Sequence, residues 1–275
     1  MNVTPRNISL SFTKMEGLGN DFIVIDDRQD TLALDAGEVS RLCDRHFGIG
    51  ADGLILLRDS SAPGANFSWD FFNADGSVAE MCGNGIRCIG AYLAGQKLID
   101  ANQNKVAIQT RAGLITLNLL RDEEGQFRAA EVDMGRAVII NESLVVANEE
   151  FFCVSMGNPH AITFVADLDC APVTTFGPRV ERDEAFPAKT NVEFAQVIDR
   201  ATLRLRVWER GAGETLACGT GACATAVAAY RKGFCDERIT VRLPGGPLDI
   251  AIDPATLQVM MTGPARAVFV GSILL

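Results

Sequence analysis

The chain has 275 residues, 48% hydrophobic and 22% charged, with a formal net charge of −10 at pH 7. That is the composition of a soluble globular protein of about two domains, and its acidity weighs against nucleic acid or anionic membrane as a partner. No apolar run is long enough to cross a bilayer as a helix, and the opening MNVTPRNIS has neither a secretory apolar core nor the Arg-rich look of a transit peptide.

In chain order, alternation and turn residues predict strands over Phe22–Asp26, Leu54–Leu57, Phe67–Phe72, Val106–Thr110, Leu114–Leu120, Ala161–Val165, Asn191–Ile198, Leu203–Trp208 and Ile239–Leu243. The last of these enters a "PGG" hairpin turn. Helices are predicted over Ala36–Arg45, Gly83–Gln96 and Gly219–Lys232, the third closed by Gly233. Eight cysteines at irregular spacings, with no CxxC pair and no export signal, read as free thiols in a reducing compartment. His46 and His160 stand far apart, so no metal site is expected. His46 is expected to anchor its loop.

The sequence also counts itself twice. Cys82-Gly-Asn-Gly and Cys218-Gly-Thr-Gly lie 136 residues apart, close to half the chain. Asn73 and Glu209 each precede their cysteine by nine residues, and Asn20 and Asn158 precede it by 62 and 60. Moving on 33 residues from those asparagines reaches Gly53 and Asn191, each opening an apolar strand. An ordered set of landmarks points to duplication where any single match would not. The expected fold class is α/β (α+β): two pseudo-symmetric duplicated domains, each a curved mixed or antiparallel sheet wrapped around a central helix. A helix such as GTGACATAVAA, apolar on all sides, must be buried. The first domain is expected over residues 10–126 and the second over 127–264.

Each cysteine would sit at the N-terminal mouth of its helix. Unpaired N–H groups and the positive helix end should acidify a thiol there and receive a carboxylate on the Gly83-Asn84 and Gly219-Thr220 amides. Inverting a carbon beside a carboxylate needs one group to remove a proton and a second to deliver one to the opposite face. Two equivalent cysteines meet that need. Strand parity places Asn73 and Glu209 at the ends of apolar, inward faces, where Glu209 would suit a substrate ammonium or pair with Arg210 or a backbone amide.

At these residues the chain resembles the diaminopimelate epimerase family, through "MEGLGNDF", "FNADGSVAEMCGNGIRC", "SMGNPH", "RVWERGAGETLACGTGAC" and "LPGG". The resemblance runs from about Phe12 to the C-terminus. It implies the duplicated fold, with residues 265–275 returning to the first domain. It further implies cofactor-independent interconversion of LL- and meso-2,6-diaminopimelate, in lysine and peptidoglycan precursor synthesis. Cys82 and Cys218 would be the acid–base pair, with His160 and Glu209 near the reacting amino group. Asn20, Gly83, Asn84, Gly219 and Thr220 would hold the carboxylate end; Asn73, Asn158, Asn191 and Arg210 would hold the distal amino-acid group. The expected setting is cytoplasmic, or the plastid stroma for a plant or alga, with a homodimer as one compatible assembly. Some family members have glutamine where Gly53 stands and histidine where Glu16 stands. The residues before Phe12 match nothing and are expected to be loose.

Three rival readings remain open at this level. A thiol–disulfide protein would bridge Cys82 and Cys218. A proline racemase or hydroxyproline epimerase would need an apolar ring pocket in place of the asparagines and Arg210. A two-lobed amino-acid binder would have no use for matched cysteines. No lysine motif for pyridoxal phosphate and no dinucleotide fingerprint is present, so no cofactor is expected.

Overall fold

A helix with no polar face has to be enclosed, and each half of the chain encloses one. The structure, a computed structural model, describes residues 9–79 and 81–275. They fall into two units, one ending at Val132 and completed by Pro264–Leu275, the other Asp133–Gly263.

The first unit contains β1 (Ser9–Gly17), β2 (Asn20–Asp26), α1 (Ala36–Cys43), β3 (Gly53–Asp59), β4 (Phe67–Asn73), β5 (Val78–Ala79), α2 (Gly83–Gly95), β6 (Lys105–Thr110), β7 (Gly113–Arg121) and β8 (Phe127–Arg136), whose last residues cross the division. The second contains β9 (Val138–Val146), β10 (Glu149–Ser155), β11 (Pro159–Phe164), α3 (Val173–Glu181), β12 (Asn191–Asp199), β13 (Thr202–Glu209), β14 (Gly213–Thr215), α4 (Gly219–Arg231), β15 (Arg238–Leu243), β16 (Gly246–Ile252) and β17 (Gln258–Gly263). The final strand, β18 (Arg266–Leu274), returns to pair with β1.

Strand order in the first unit is β18-β1-β2-β3-β4-β6-β7-β8, parallel at β2/β3 and β4/β6 and antiparallel elsewhere, with β5 added on β4. In the second it is β9-β10-β11-β12-β13-β15-β16-β17, parallel at β11/β12 and β13/β15, with β14 on β13. Strand for strand, the two sheets have one topology. In the first, α2 touches β18, β1 and β2 at one end of the order and β7 near the other, which a flat sheet could not allow. In the second, α4 touches every strand from β10 to β13 and from β15 to β17. Each sheet therefore curls around its helix.

Small residues permit that closeness. A methyl group on Gly90 of α2 would come within 2.9 Å of Leu119 Cδ2 on β7. In α4 every residue from Gly221 to Ala229 is buried. Gly233 closes α4 in the left-handed region (φ 72°), its N–H donating to the Tyr230 carbonyl at 3.0 Å, as the sequence predicts.

All nine predicted strands form, with ends within two residues of expectation. Several elements carry weaker signals. β9 has mostly exposed residues and α3 contains Gly177 and Pro178. Helix α1 stops two residues early because the Asp44 carboxylate accepts the N–H groups of His46 and Phe47, both at 2.7 Å, and turns the chain. That carboxylate anchors the loop, and His46, exposed, gives it a backbone N–H. Residues 1–8, expected to be loose, lie outside the described residues; Ser9–Ser11 are not loose but form the start of β1, paired with Leu274–Ser272.

Candidate active site

The two cysteines occupy one backbone position in their respective units. Cys82 is the N-cap of α2, in extended conformation, and the Gly85 N–H donates to its sulfur at 3.4 Å. Cys218 is the N-cap of α4, and the Gly221 N–H donates to its sulfur at 3.4 Å. An extended residue followed by glycine-rich first turns lets the sulfur fold back over the helix end, where a serine or aspartate cap would normally sit. The surroundings of the two sulfurs then differ.

Around Cys82, which is partly exposed, the thiol lies 3.8 Å from Asn20 Oδ1. Asn84 Nδ2 donates to that same oxygen at 3.0 Å, and Asn20 Nδ2 donates to Asp52 Oδ2 at 2.7 Å. Asp52 thus fixes which way the Asn20 amide faces. Beneath Asn84 is Arg87, fully buried, donating to Asn84 Oδ1 at 2.9 Å, to the Gly83 carbonyl at 3.1 Å and to the Pro264 carbonyl at 3.3 Å. Behind Asp52, Arg45 bridges Asp52 and Asp21, and Lys14 pairs with Asp21 at 2.7 Å. Burial alone would raise the Asp21 carboxyl, but hydrogen bonds from Arg45 and Lys14 bring it down to about 2.

Around Cys218 the neighbours are acidic. Cys218 is 5% exposed, and its sulfur lies 3.5 Å from Thr220 Oγ1. Burial, then the neighbouring Glu209 and Glu193, push its thiol well above the ordinary value, and the Thr220 hydroxyl and Gly221 amide only partly offset them. The sequence-level expectation of an acidified thiol is corrected here. A helix end contributes about 0.3–2 kcal/mol, whereas full burial shifts a group by up to about 3–5 pK units, several kcal/mol. Burial wins, and resting Cys218 is a thiol. Glu209 is itself raised by burial, while the Thr215 hydroxyl, donating at 2.5 Å, and the Cys218 thiol hold it down. Its partner is therefore Thr215, not Arg210.

A chain of hydrogen bonds runs from Thr220 into the core. Asn158 Nδ2 donates to Thr220 Oγ1 at 3.3 Å, and Asn158 Oδ1 lies 3.0 Å from His160 Nε2. His160 Nδ1 lies 2.6 Å from Glu193 Oε1. Both ring nitrogens of His160, which is 1% exposed, are thus engaged within the unit.

Of the remaining predicted residues, Asn191 is buried with its amide donating to the Pro159 carbonyl and accepting from the Arg210 N–H, both at 2.9 Å. It pins the strand end that presents Arg210, an exposed side chain whose guanidinium donates to the Ala188 carbonyl at 3.1 Å. Asn73 is exposed at the end of β4 and donates to Ser77 Oγ at 2.9 Å, so it is not the buried polar group that parity suggests. Asn73 is still paired with Gly53 in the sheet, but at this last residue of β4 the inward face opens to solvent. Gly83, Asn84 and Gly219 are buried in the first helical turns, and Thr220 is half-buried. Cys43, Cys88, Cys153, Cys223 and Cys235 are buried and Cys170 is exposed.

Sequence reasoning passed over Asp52, Arg87, Glu193 and Thr215. For Glu193 a signal existed: the 138-residue offset linking Asn20 to Asn158 also aligns Phe22 with His160 and Ile55 with Glu193, two apolar residues opposite two ionisable ones. Glu181 was missed with its helix; it accepts from Trp208 Nε1 at 2.8 Å and from the Gly211 N–H at 3.1 Å, tethering the turn after Glu209. Among the described residues no cluster of three or more histidine, cysteine or acidic side chains is arranged to hold a metal ion.

The sequence matches the model of a family described as diaminopimelate epimerase over residues 12–140 and 152–268. A "diaminopimelate epimerase 1" of Nostoc sp. is 47% identical, the match covering 97% of this chain and 100% of that protein. A diaminopimelate epimerase of Heliobacterium modesticaldum is 45% identical over 96% of this chain and 99% of its own. A solved structure of a Bacillus anthracis phenazine biosynthesis protein of the PhzF family is similar with a TM-score of 0.76 at 16% identity, covering 98% of this chain and 100% of that one. A hydroxyproline epimerase from Agrobacterium vitis is similar with a TM-score of 0.74 at 14% identity, covering 99% and 94%. At such identities the likeness is one of fold alone.

Proposed function

Because the chain belongs to the diaminopimelate epimerase family, we propose that it interconverts LL- and meso-2,6-diaminopimelate through Cys82 and Cys218, without a cofactor. The observation that supports this most is the equivalence of the two thiols. Each unit caps its enclosed helix with a cysteine whose sulfur accepts the N–H three residues on, at 3.4 Å in both.

In this reading one sulfur, as thiolate, takes the α-proton, and the other, as thiol, returns a proton to the opposite face. The reverse reaction exchanges their roles. Burial favours the Cys218 thiol, which suits it to act as the acid in one direction, and in the other the Gly221 N–H and Thr220 hydroxyl support its thiolate. Negative charge developing on the substrate carboxylate is met by the first-turn amides of Gly83 and Asn84 and of Gly219 and Thr220, with Asn20 beside them. Those donors are fixed by helix geometry, so little reorganisation is needed when the charge appears. Glu209 receives the reacting ammonium. Asn73, Asn158, Asn191 and Arg210 take the distal amino and carboxylate groups, with Arg210 as the bidentate cation. His160 contributes from behind Asn158.

The same reading makes this a cytoplasmic enzyme of lysine and cell-wall precursor synthesis and is compatible with a homodimer, which analytical ultracentrifugation would test. Nucleic acid is not a partner in it. The central experiment is proton NMR of LL-diaminopimelate in D2O with protein, reductant and no added cofactor. The expected result is loss of the α-proton signal with appearance of the meso form; an unchanged spectrum overturns the proposal.

A further inference from the structure

Glu193 is buried to 0% exposure inside the second unit, against an equally enclosed His160. Enclosing an ionisable pair is costly, and an apolar pair of similar volume stabilises a fold at least as well. The first unit contains that alternative. Ile55 on β3 and Phe22 on β2 occupy the places that Glu193 on β12 and His160 on β11 hold in the second, in matching parallel pairs of strands. Both are buried to 1% exposure or less. The packing partner matches as well. A methyl group built on Gly85 would meet Ile55 Cδ1 at 3.4 Å, and one built on Gly221 would meet Glu193 Oε1 at 2.9 Å. This architecture accepts hydrocarbon at the position, so stability does not account for the carboxyl group.

With the Asn158 amide nitrogen on Thr220, the hydrogen bonds that lead away from Glu193 take one direction. Asn158 Nδ2 donates to Thr220 Oγ1 (3.3 Å), so the hydroxyl's own hydrogen is left for the Cys218 sulfur at 3.5 Å. With its nitrogen so placed, the Asn158 amide presents Oδ1 to His160 Nε2 (3.0 Å), and that nitrogen must carry hydrogen. His160 Nδ1 is then the acceptor, and Glu193 faces it at 2.6 Å as a carboxylic acid donating its hydrogen, the form that burial favours by raising the Glu193 carboxyl; this contact holds the ring in its orientation.

We propose that Glu193 is a positioning residue for Cys218: by holding His160 with a hydrogen on Nε2, it orients the Asn158 amide and leaves the Thr220 hydroxyl donating to the Cys218 sulfur. When Cys218 becomes a thiolate it then has two donors, the Gly221 N–H and the Thr220 O–H. No proton travels along the chain, because the Asn158 amide interrupts it. The kinetic consequence rests on the epimerase reading; the arrangement itself does not.

The test begins with protein labelled with 15N at histidine. In the unsubstituted protein the His160 resonances should show hydrogen on Nε2, and in Glu193→Ile that preference should be lost. Hydrogen on Nδ1 alone, or a tautomer indifferent to Glu193→Ile, overturns the proposal. These measurements need no substrate, so they decide it even if the protein fails to epimerise diaminopimelate. With activity present, Glu193→Ile should lower kcat roughly 10- to 100-fold, the size expected for a small misplacement of a reacting group, with little change in KM. Glu193→Gln, which can donate to Nδ1 and keep the same tautomer, should restore most of that loss. Thr220→Val should slow the unsubstituted enzyme but add nothing to Glu193→Ile. If Glu193→Ile folds poorly, His160→Phe/Glu193→Ile, which rebuilds the apolar pair of the first unit, should fold normally and remain slow. Normal turnover in that double variant, or full additivity with Thr220→Val, overturns the proposal.

Discussion

The first turn of α2 and the first turn of α4 share a backbone and differ in what lies behind it. Behind Cys82 the chain places a buried guanidinium, Arg87, and an Asp52–Asn20 pair that aims an amide oxygen at the sulfur. Behind Cys218 it places Glu209, Glu193 and His160. Duplication supplied the geometry twice, and substitution in the layer beneath gave each sulfur its own electrostatic setting. Two thiols with identical contacts would start in the same protonation state, whereas a reaction that needs one acid and one base is served by two that differ.

The strongest way to break this comparison is to remove each sulfur in turn. Cys82→Ala and Cys218→Ala should each reduce epimerisation by about 10³-fold or more, the range of a lost general acid or base, measured by the D2O experiment. A single variant that keeps near-normal turnover would show that the two mouths are not partners. Next in size is Asp52→Ala, which frees the Asn20 amide to rotate and should cost roughly 10-fold in kcat/KM through lost orientation. Thiol reactivity sharpens the contrast directly. Because its thiol is raised, Cys218 stays protonated at neutral pH, so alkylation followed by peptide mass spectrometry should label it only well into the alkaline range. Labelling at pH 7 at the rate of a free thiol would mean that the helix end outweighs burial after all.

Smaller effects test the packing beneath. Gly90→Ala drives a methyl group against Leu119 and should destabilise the first unit by about 1–3 kcal/mol. The second unit has Ala226 at the equivalent point of α4, where Ala226→Gly should cost about 0.5–1 kcal/mol through helix entropy. Denaturant titration of each variant checks both. Smallest is a pH effect. Asp21 is ionised in the fold down to about 2 against an ordinary 3.8, so its contribution to stability is present above 3.8 and fades as pH falls towards 2. Asp21→Asn should flatten that stretch of an acid-unfolding curve, and an unchanged slope would remove Asp21 from the support of the first mouth.

Much of the fold was legible because its strongest signals are local. Alternation gave the nine strands, and the absence of any polar face identified α2 and α4 as enclosed. The spacing of Asn20, Gly53, Asn73 and Cys82 against Asn158, Asn191, Glu209 and Cys218 revealed the duplication. What escaped depends on contacts distant in sequence. Helix α3, with Gly177 and Pro178 inside it, forms because Gly177 lets it lie so close to Trp208 that an added methyl group would meet that side chain at 2.7 Å, and because Glu181 bonds Trp208 and Gly211. In the candidate site, the positions of Cys82 and Cys218 at helix mouths could be read, but the protonation of Cys218 could not. Motif spacing reports the helix end and says nothing of the neighbouring Glu193 and Glu209 or the depth of burial, which outweigh it.

The pairing of β18 with β1 also sets an order of events during synthesis. The Asp133–Gly263 unit is contiguous, so it can close once Gly263 has emerged. The opening unit, although made first, lacks an outer strand until Arg266–Leu274 is released. Domains generally close in the order they leave the ribosome. Here the earlier half must keep the flank of β1 uncovered while the later half folds, until the distant β18 segment arrives to cover it.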